Sequence, residues 1–107
     1  MAVEINALFY NALRLFARWV GDQGDTARAS DLTDRARRMR ESFNRRFWIA
    51  EARHLYDVVD GEQGDDPACR PNQVLAMSLT HPILDADRWR PVLDTVAERL
   101  LTPYGLR

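Results

Sequence analysis

The sequence predicts a mainly α-helical fold that also contains a short β-hairpin. Four segments carry apolar residues at helical spacing, whereas the stretch "FWIAEARHLYDVV" carries aromatic and β-branched residues in short runs. The chain has 107 residues, the length of about one small domain. Its 46% hydrophobic and 29% charged residues are typical of a globular protein.

Two long helices open the chain. The first is predicted over residues 3–20, where large apolar side chains fall on one broad stripe, and the glycines of "GDQGD" end it. The second is predicted over residues 26–46, with Asp25 as its N-terminal cap. Its core-facing residues repeat at four- and three-residue spacing: Ala29, Leu32, Ala36, Met39 and Phe43. We expect the two helices to form an antiparallel hairpin.

Shorter elements follow. Residues 47–49 and 55–59 are predicted to form the two strands of a β-hairpin, and "DGEQGDD" is predicted to be a loop because it has no apolar residue. A third helix is predicted to begin at Pro71, since the fixed φ of proline suits the first helical turn. The fourth is predicted over residues 87–100, with a buried face of Trp89, Val92, Leu93, Val96 and Leu100.

Composition and charge exclude several classes of partner. The net charge of −1 gives no electrostatic basis for binding nucleic acid or an acidic membrane surface, and no apolar run approaches the roughly 18 residues of a membrane span. Cys69 is the single cysteine, so we expect a reducing, cytoplasmic setting. His54 and His81 lack acidic or thiol partners at ligand spacing, and we predict no metal site and no cofactor.

Both ends of the sequence are abrupt. An apolar helix is predicted from residue 3 with no capping side chain before it, and the last residues, "LLTPYGLR", are largely apolar. We expect residues 1–107 to be a segment of a longer protein, truncated at both ends. A small self-contained helical domain is the alternative.

The first helix carries an unusual polar arc. At roughly 100° per residue, its large apolar side chains share one side. The remaining arc holds Glu4, Asn6, Tyr10, Asn11, Arg14 and Arg18. Asparagine is a poor helix former, so Asn6 and Asn11 have no propensity reason to be there. This polar arc is therefore the first candidate site; the alternative is an ordinary surface with one buried, hydrogen-bonded amide.

The stretch "DDPACRPNQ" is the second candidate site. Arg70 offers a rigid fork of donors, and Asn72 and Gln73 offer donors and acceptors, a mixture that suits vicinal sugar hydroxyls. The alternative is a structural loop in which Arg70 pairs with Asp65 or Asp66 and Asn72 satisfies the helix end.

Four motifs in order, "VEINALFYNAL", "LYDVVDG", "DD…RPNQVLAMSL" and "LLTPYGLR", give the chain a family likeness. The sequence resembles the C-terminal catalytic domain of bacterial and archaeal glycogen debranching enzymes, the amylo-α-1,6-glucosidase family. The resemblance implies about two helix pairs of an (α/α)6 toroid around a central sugar pocket. It also implies a branched α-glucan or oligosaccharide as the ligand of the whole enzyme.

The resemblance further implies roles for individual residues. Glycosidases of this kind use two carboxylic acids, and the family motifs expected to hold them, upstream of "VEIN" and downstream of "TPYGLR", do not occur in this chain. No catalytic residue is therefore expected here. Sugar-contacting or acid-positioning roles are expected for Glu4, Asn6, Arg70, Asn72 and Gln73.

Other functions stay open at this point. One is another toroidal glycosidase, such as a trehalase or α-mannosidase relative. A second is a non-catalytic helical interaction module, and a third is a toroid that only binds glucan. As a separated segment, the chain is also expected to self-associate, because large exposed apolar patches drive association.

Overall fold

A computed structural model describes the backbone of residues 1–102 and 105–106 and the side chains of residues 1–100. Helices α1 (Val3–Asp22) and α2 (Thr26–Arg46) come first. Two short strand pairs follow: β1 (Trp48–Ile49) with β2 (His54–Leu55), and β3 (Val58–Gly61) with β4 (Gly64–Asp66). Then come helices α3 (Leu75–Ser78) and α4 (Trp89–Leu100), and strands β5 (Leu101–Thr102) and β6 (Gly105–Leu106). The predicted mainly α fold with a short hairpin is confirmed.

The turn between α1 and α2 begins two residues later than predicted, because α1 continues through Gly21 to Asp22. Gly24 adopts a φ of 93°, a left-handed conformation that glycine takes without steric cost. The side chain of Asp25 accepts a hydrogen bond from the Arg28 backbone N–H at 3.1 Å, which satisfies one free donor at the start of α2. The two helices pack against each other as an antiparallel hairpin.

The strands differ from the prediction in two respects. The expected strand over residues 55–59 is divided, since Leu55 pairs with Trp48 in one ladder and Val58 pairs with Asp66 in another. The expected loop "DGEQGDD" is in fact the hairpin β3–β4. A polar contact stabilises this hairpin, because the Asp65 carboxylate accepts from the Asp60 backbone N–H at 3.0 Å.

The two later helices begin as tighter turns. Pro71 opens a 3₁₀ turn, Pro71–Val74, and only then does α3 begin. A second 3₁₀ turn, Ala86–Arg88, leads into α4. The predicted third helix beginning at Pro71 is confirmed, although its first turn is 3₁₀ and its α-helical part is limited to Leu75–Ser78. The apolar tail "LLTPYGLR" forms the pair β5–β6 where its backbone is described, and the remainder of that tail lies outside the described residues.

One hydrophobic core joins the helices to the strands. It is centred on fully buried side chains from α1, β2, α4 and the segment before α4: Tyr10, Leu55, Ile83, Leu84 and Val92. Helix α2 contributes Ala36 and Phe43, as predicted, and the Phe43 ring stacks on Phe47 with centroids 4.6 Å apart.

Helix α1 packs through the side opposite its apolar stripe. Its buried residues are Val3, Ala7, Tyr10, Ala17 and Val20. Most of the large apolar residues stay between 45% and 60% exposed: Ile5, Leu8, Phe9, Leu15, Phe16 and Trp19. Small alanines on the packed side let α2 approach closely, whereas the stripe has no cover among the described residues. Periodicity therefore defines the two sides of α1 correctly but does not show which side meets this core.

Asn44 connects α2 to the segment before α4. Its buried amide nitrogen donates to the carbonyl oxygens of Arg40 and Ile83, each at 2.8 Å. Its amide oxygen accepts from the Asp85 backbone N–H at 2.7 Å. The Asn44 side chain thus satisfies the Ile83 carbonyl and the Asp85 N–H, two backbone groups of a loop that belongs to no β-ladder.

Replacing Asn44 with alanine is expected to lower the free energy of unfolding by about 3 kcal/mol, because it leaves two loop backbone groups unsatisfied. Urea denaturation followed by circular dichroism measures this change. The control is Arg45→Ala on the next, exposed position of α2, which is expected to cost less than about 0.5 kcal/mol. Equal effects of the two substitutions would contradict the role given to Asn44.

Candidate functional site

The candidate site forms where the first residues of the chain meet strand β3. Ala2 pairs with Val58 in an antiparallel bridge. The Val3 backbone N–H donates to the Asp57 carbonyl oxygen at 2.8 Å. These contacts place the first turn of α1, and with it Glu4, directly beside Asp57.

The Asp57 carboxylate is the centre of a polar cluster. It accepts hydrogen bonds from the Arg70 guanidinium and, at 3.1 Å, from the Asn72 amide nitrogen. The same Asn72 nitrogen donates to the Glu4 carboxylate at 2.6 Å, and Arg70 donates to Asp66 at 2.9 Å. We call Glu4, Asp57, Asp66, Arg70 and Asn72 the Asp57 cluster.

Proline geometry brings Arg70 and Asn72 to this place. Arg70 precedes Pro71 and has an extended backbone, with φ −120° and ψ 154°, because a following proline disfavours the helical region. Asn72 lies one residue inside the 3₁₀ turn. The change from extended chain to turn at Pro71 lets the side chains on both sides of the proline reach the same carboxylate.

The charge of the cluster is negative. Three carboxylates face one guanidinium, so its formal charge is −2 when all four groups are ionised. The Arg70 hydrogen bond, helped by the Ala68 backbone N–H, holds the pKa of Asp66 below its ordinary value. Asp66 and then Asp57 raise the pKa of Arg70. Such a cluster disfavours phosphate and other anionic ligands.

Solvent reaches the cluster at Arg70 and at Asp66, whose side chain is 40% exposed. The Arg70 side chain is 51% exposed, whereas that of Asp57 is only 11% exposed. Glu4 and Asn72 are half-buried. The open side therefore presents guanidinium donors next to a carboxylate acceptor, and ligand hydroxyls can hydrogen-bond to both. The Asn72 amide oxygen is buried and has no hydrogen-bond partner among the described residues.

Only three of the five predicted binding residues come together, namely Glu4, Arg70 and Asn72. Gln73 is buried. Its amide oxygen accepts from the Leu55 backbone N–H at 3.0 Å, and its nitrogen donates to the Arg70 carbonyl at 2.9 Å. Gln73 thus supports the backbone beneath Arg70.

Asn6 lies on another surface of the molecule. Its amide nitrogen donates to the Ala2 carbonyl at 3.0 Å. It lines a separate groove of about 260 Å³ between α1, α2 and β3, together with Met39, Ser42 and Arg46. The structure therefore does not bring Asn6 to the Asp57 cluster.

The structural alternative for the "DDPACRPNQ" loop is correct in part. Arg70 does pair with Asp66, whereas Asp65 pairs with Arg46 at 2.8 Å. The Asn72 amide bonds to carboxylates and makes no capping hydrogen bond at its turn. Sequence reasoning missed Asp57. Its signal is a lone carboxylate inside the apolar run "LYDVV", a position where a charge needs partners.

The two histidines lie apart from the cluster. His54 is buried, its Nδ1 donates to the Leu55 carbonyl at 2.9 Å, and its Nε2 lies 3.3 Å from the Arg99 guanidinium. The backbone N–H of His81 donates to the Asn11 side chain at 2.9 Å.

Among the described residues, no group of three or more His, Cys, Asp or Glu residues could hold a metal ion. Within the same part of the chain, no helix is long and apolar enough to cross a membrane.

The described residues thus form a mainly helical fold with an open, negatively charged cluster of carboxylate, amide and guanidinium groups. The family model described as amylo-alpha-1,6-glucosidase matches residues 1–107, so the chain belongs to this family of glycoside hydrolase-related domains. The likeness inferred from the four motifs is therefore confirmed. No curated protein and no solved structure matches the chain significantly.

Acidification is expected to destabilise the fold through His81. Burial, followed by repulsion from Arg14 and Arg18, lowers the pKa of His81 below 6.5. The unfolded chain therefore takes up this proton at higher pH than the folded chain does. The contribution of His81 to stability is complete above pH 6.5 and is lost as the pH falls through the lowered folded pKa.

Urea denaturation at a series of pH values between neutrality and about pH 5 measures this loss. In the variant His81→Gln the slope of stability against pH should be shallower over that range. The lowered pKa values of Asp65 and Asp66 act only at more acidic pH, below their ordinary value of 3.8. Identical slopes for the two proteins would contradict the assignment to His81.

Proposed function

We propose that residues 1–107 contribute to the substrate pocket of an α-glucan debranching glucosidase, an enzyme that hydrolyses α-1,6 branch linkages. The observation that carries the proposal is the Asp57 cluster, in a chain that belongs to the amylo-alpha-1,6-glucosidase family. In this proposal the chain binds branched α-glucan or oligosaccharide through Glu4, Arg70 and Asn72. The two catalytic carboxylates come from other parts of the polypeptide.

The chemistry of the cluster supports a neutral sugar as the ligand. A glucosyl unit presents vicinal hydroxyls, each of which both donates and accepts hydrogen bonds. Arg70 can donate to one hydroxyl while Glu4 accepts from its neighbour. The formal negative charge of the cluster also favours an uncharged glucan over a phosphorylated sugar.

Glu4 is not proposed as a catalytic acid. Its carboxylate accepts a hydrogen bond from Asn72 at 2.6 Å, which fixes its orientation within the cluster, and the family resemblance gives it a pocket-lining role. Its proposed role is to orient the sugar, since fixed geometry supplies much of the rate in reactions of this kind. Gln73 supports this arrangement from below, and Asn6 is proposed to line a more distant part of the pocket.

The exposed stripe of α1 supports the placement of this chain in a larger domain. We propose that α1 is an inner helix of an (α/α)6 toroid and that the stripe packs against other helices of the same domain. An inner helix is covered on most sides, which accounts for apolar side chains on one side and core contacts on the other. We also propose a cytoplasmic location, in keeping with the single Cys69.

The same stripe favours a second candidate function, a non-catalytic interaction or glucan-binding module. In that case the protein has no hydrolytic activity. Glucose release from an α-1,6-branched maltooligosaccharide by the natural protein that carries residues 1–107 separates the two candidates. Release from the branched but not from the linear oligosaccharide is expected. Absence of hydrolysis on every glucoside and trehalose would overturn the proposed enzyme.

Substituting Arg70 with lysine in that protein is expected to lower kcat/KM on branched oligosaccharide by about tenfold. Lysine keeps the charge opposite Asp57 and Asp66 but lacks the planar fork of donors. The melting temperature is expected to change little, because an ion pair remains. The matched control is Arg35→Lys, which alters the exposed pair with Asp31 on α2, outside the cluster. A loss of stability that accounts for the whole loss of activity would contradict a binding role for Arg70.

The isolated chain is expected to self-associate through the α1 stripe, because its apolar side chains have no cover in the described structure. Sedimentation velocity over a range of concentrations measures the association. The variant with Leu8→Glu and Phe16→Glu should shift the chain toward monomer. Ser30→Glu with Thr33→Glu adds the same charge to the exposed side of α2 and should change nothing. A wild-type chain that stays monomeric throughout would contradict this expectation.

A further inference from the structure

Asp57 contacts two of the three proposed sugar-binding residues, Arg70 and Asn72, but its own side chain is nearly buried. Its side chain is only 11% exposed, whereas that of Arg70 is 51% exposed. A ligand on the open side of the cluster therefore meets Arg70 before it could meet Asp57. Any effect of Asp57 on binding must act through those neighbours.

The backbone of Asp57 is fixed from both sides. Its N–H donates to the Asp66 carbonyl at 2.8 Å, and its carbonyl accepts from the Val3 N–H, also at 2.8 Å. The carboxylate thus has a defined position relative to strand β4 and to the first turn of α1. Arg70 and Glu4 have long side chains with many rotamers, so they need such a fixed partner to keep one conformation.

Asn72 extends this constraint to Glu4. Its amide nitrogen has two hydrogens, and the two carboxylates of Asp57 and Glu4 each accept one of them. Ionised carboxylates only accept, so the amide can face them only through its nitrogen. Asp57 therefore holds Arg70 directly and Glu4 through Asn72.

We propose that Asp57 is a positioning residue for glucan recognition, which sets the orientation of Arg70 and Glu4 without touching the ligand. The inference rests on the proposed function, because it assigns to Asp57 the geometry of that same sugar site. Its consequence is that neutralising a buried carboxylate weakens the binding of an uncharged sugar.

The test is Asp57→Asn in the natural protein, with an α-1,6-branched maltooligosaccharide whose branch linkage is a non-hydrolysable thioglycoside as the probe in isothermal titration calorimetry. The carboxamide keeps the shape of the side chain but has one acceptor oxygen, so either Arg70 or Asn72 loses its partner. The expected result is binding weaker by about tenfold, measured well below the melting temperatures of both proteins. The control is Asp31→Asn, whose side chain is 58% exposed and pairs with Arg35 on α2; it should leave binding unchanged.

A double-mutant cycle separates positioning from general destabilisation. If Asp57 acts through Arg70, the two substitutions should not have independent effects on affinity. The fold-loss of affinity in the double variant Asp57→Asn/Arg70→Gln should then be at least about fivefold smaller than the product of the fold-losses in the two single variants. Independent, multiplying losses would overturn the positioning role. If Asp57→Asn does not fold, Asp57→Glu keeps the charge and displaces the carboxylate by one methylene, and unchanged affinity in that variant would overturn it as well.

The outcomes also separate the inference from the proposed function. If the wild-type protein and Asp57→Asn bind the probe with equal affinity, the positioning role alone is overturned. Wild-type protein that does not bind the probe overturns the proposed function, and the positioning role falls with it. Weaker binding in Asp57→Asn, with normal binding in Asp31→Asn and coupling to Arg70, supports both.

Discussion

The backbone hydrogen bond from Val3 to the Asp57 carbonyl is the contact on which the candidate site depends. It joins the start of α1 to strand β3, residues more than fifty positions apart in the sequence. Together with the neighbouring bridge between Ala2 and Val58, it fixes the position of Glu4 relative to Asp57, Arg70 and Asn72. The cluster is thus a product of chain topology: a helix start, a strand and a proline turn meet at a buried carboxylate. A charge in that position requires compensation, and Arg70 and Asn72 supply it.

Helices and turns could be predicted from the sequence where their structure depends on residues close together in the chain. Asp25 and the four-three spacing define α2 because capping and periodicity act within a few residues. The hairpin β3–β4 could not be predicted, since its strands have few apolar residues and the Asp65 contact to the Asp60 backbone stabilises it instead. The direction that α1 faces could not be predicted either, because periodicity defines two sides but not the surface against which each one packs.

In the candidate site, too, short-range features could be predicted from the sequence and tertiary contacts could not. Arg70 and Asn72 were recognisable because their side chains combine hydrogen-bonding groups around one proline. Asp57 was not, because its importance comes from partners at positions 3, 70 and 72 and not from its neighbours in "LYDVV". Gln73 looked like a ligand-binding amide, yet its partners are buried backbone groups. Residue type and spacing identify hydrogen-bonding capacity, whereas the tertiary contacts decide whether that capacity faces a ligand or the interior.

The central claim is that the open side of the Asp57 cluster binds neutral α-glucan. The most direct test is a titration of the ¹⁵N-labelled chain with an α-1,6-branched maltooligosaccharide, followed by two-dimensional NMR. The account predicts that the largest shift changes fall on Glu4, the Arg70 side chain and the Asn72 side-chain amide. Glucose 6-phosphate added at the same concentration should leave them unchanged. Shift changes confined to the groove around Asn6, Met39 and Arg46, or none at all, would contradict the account.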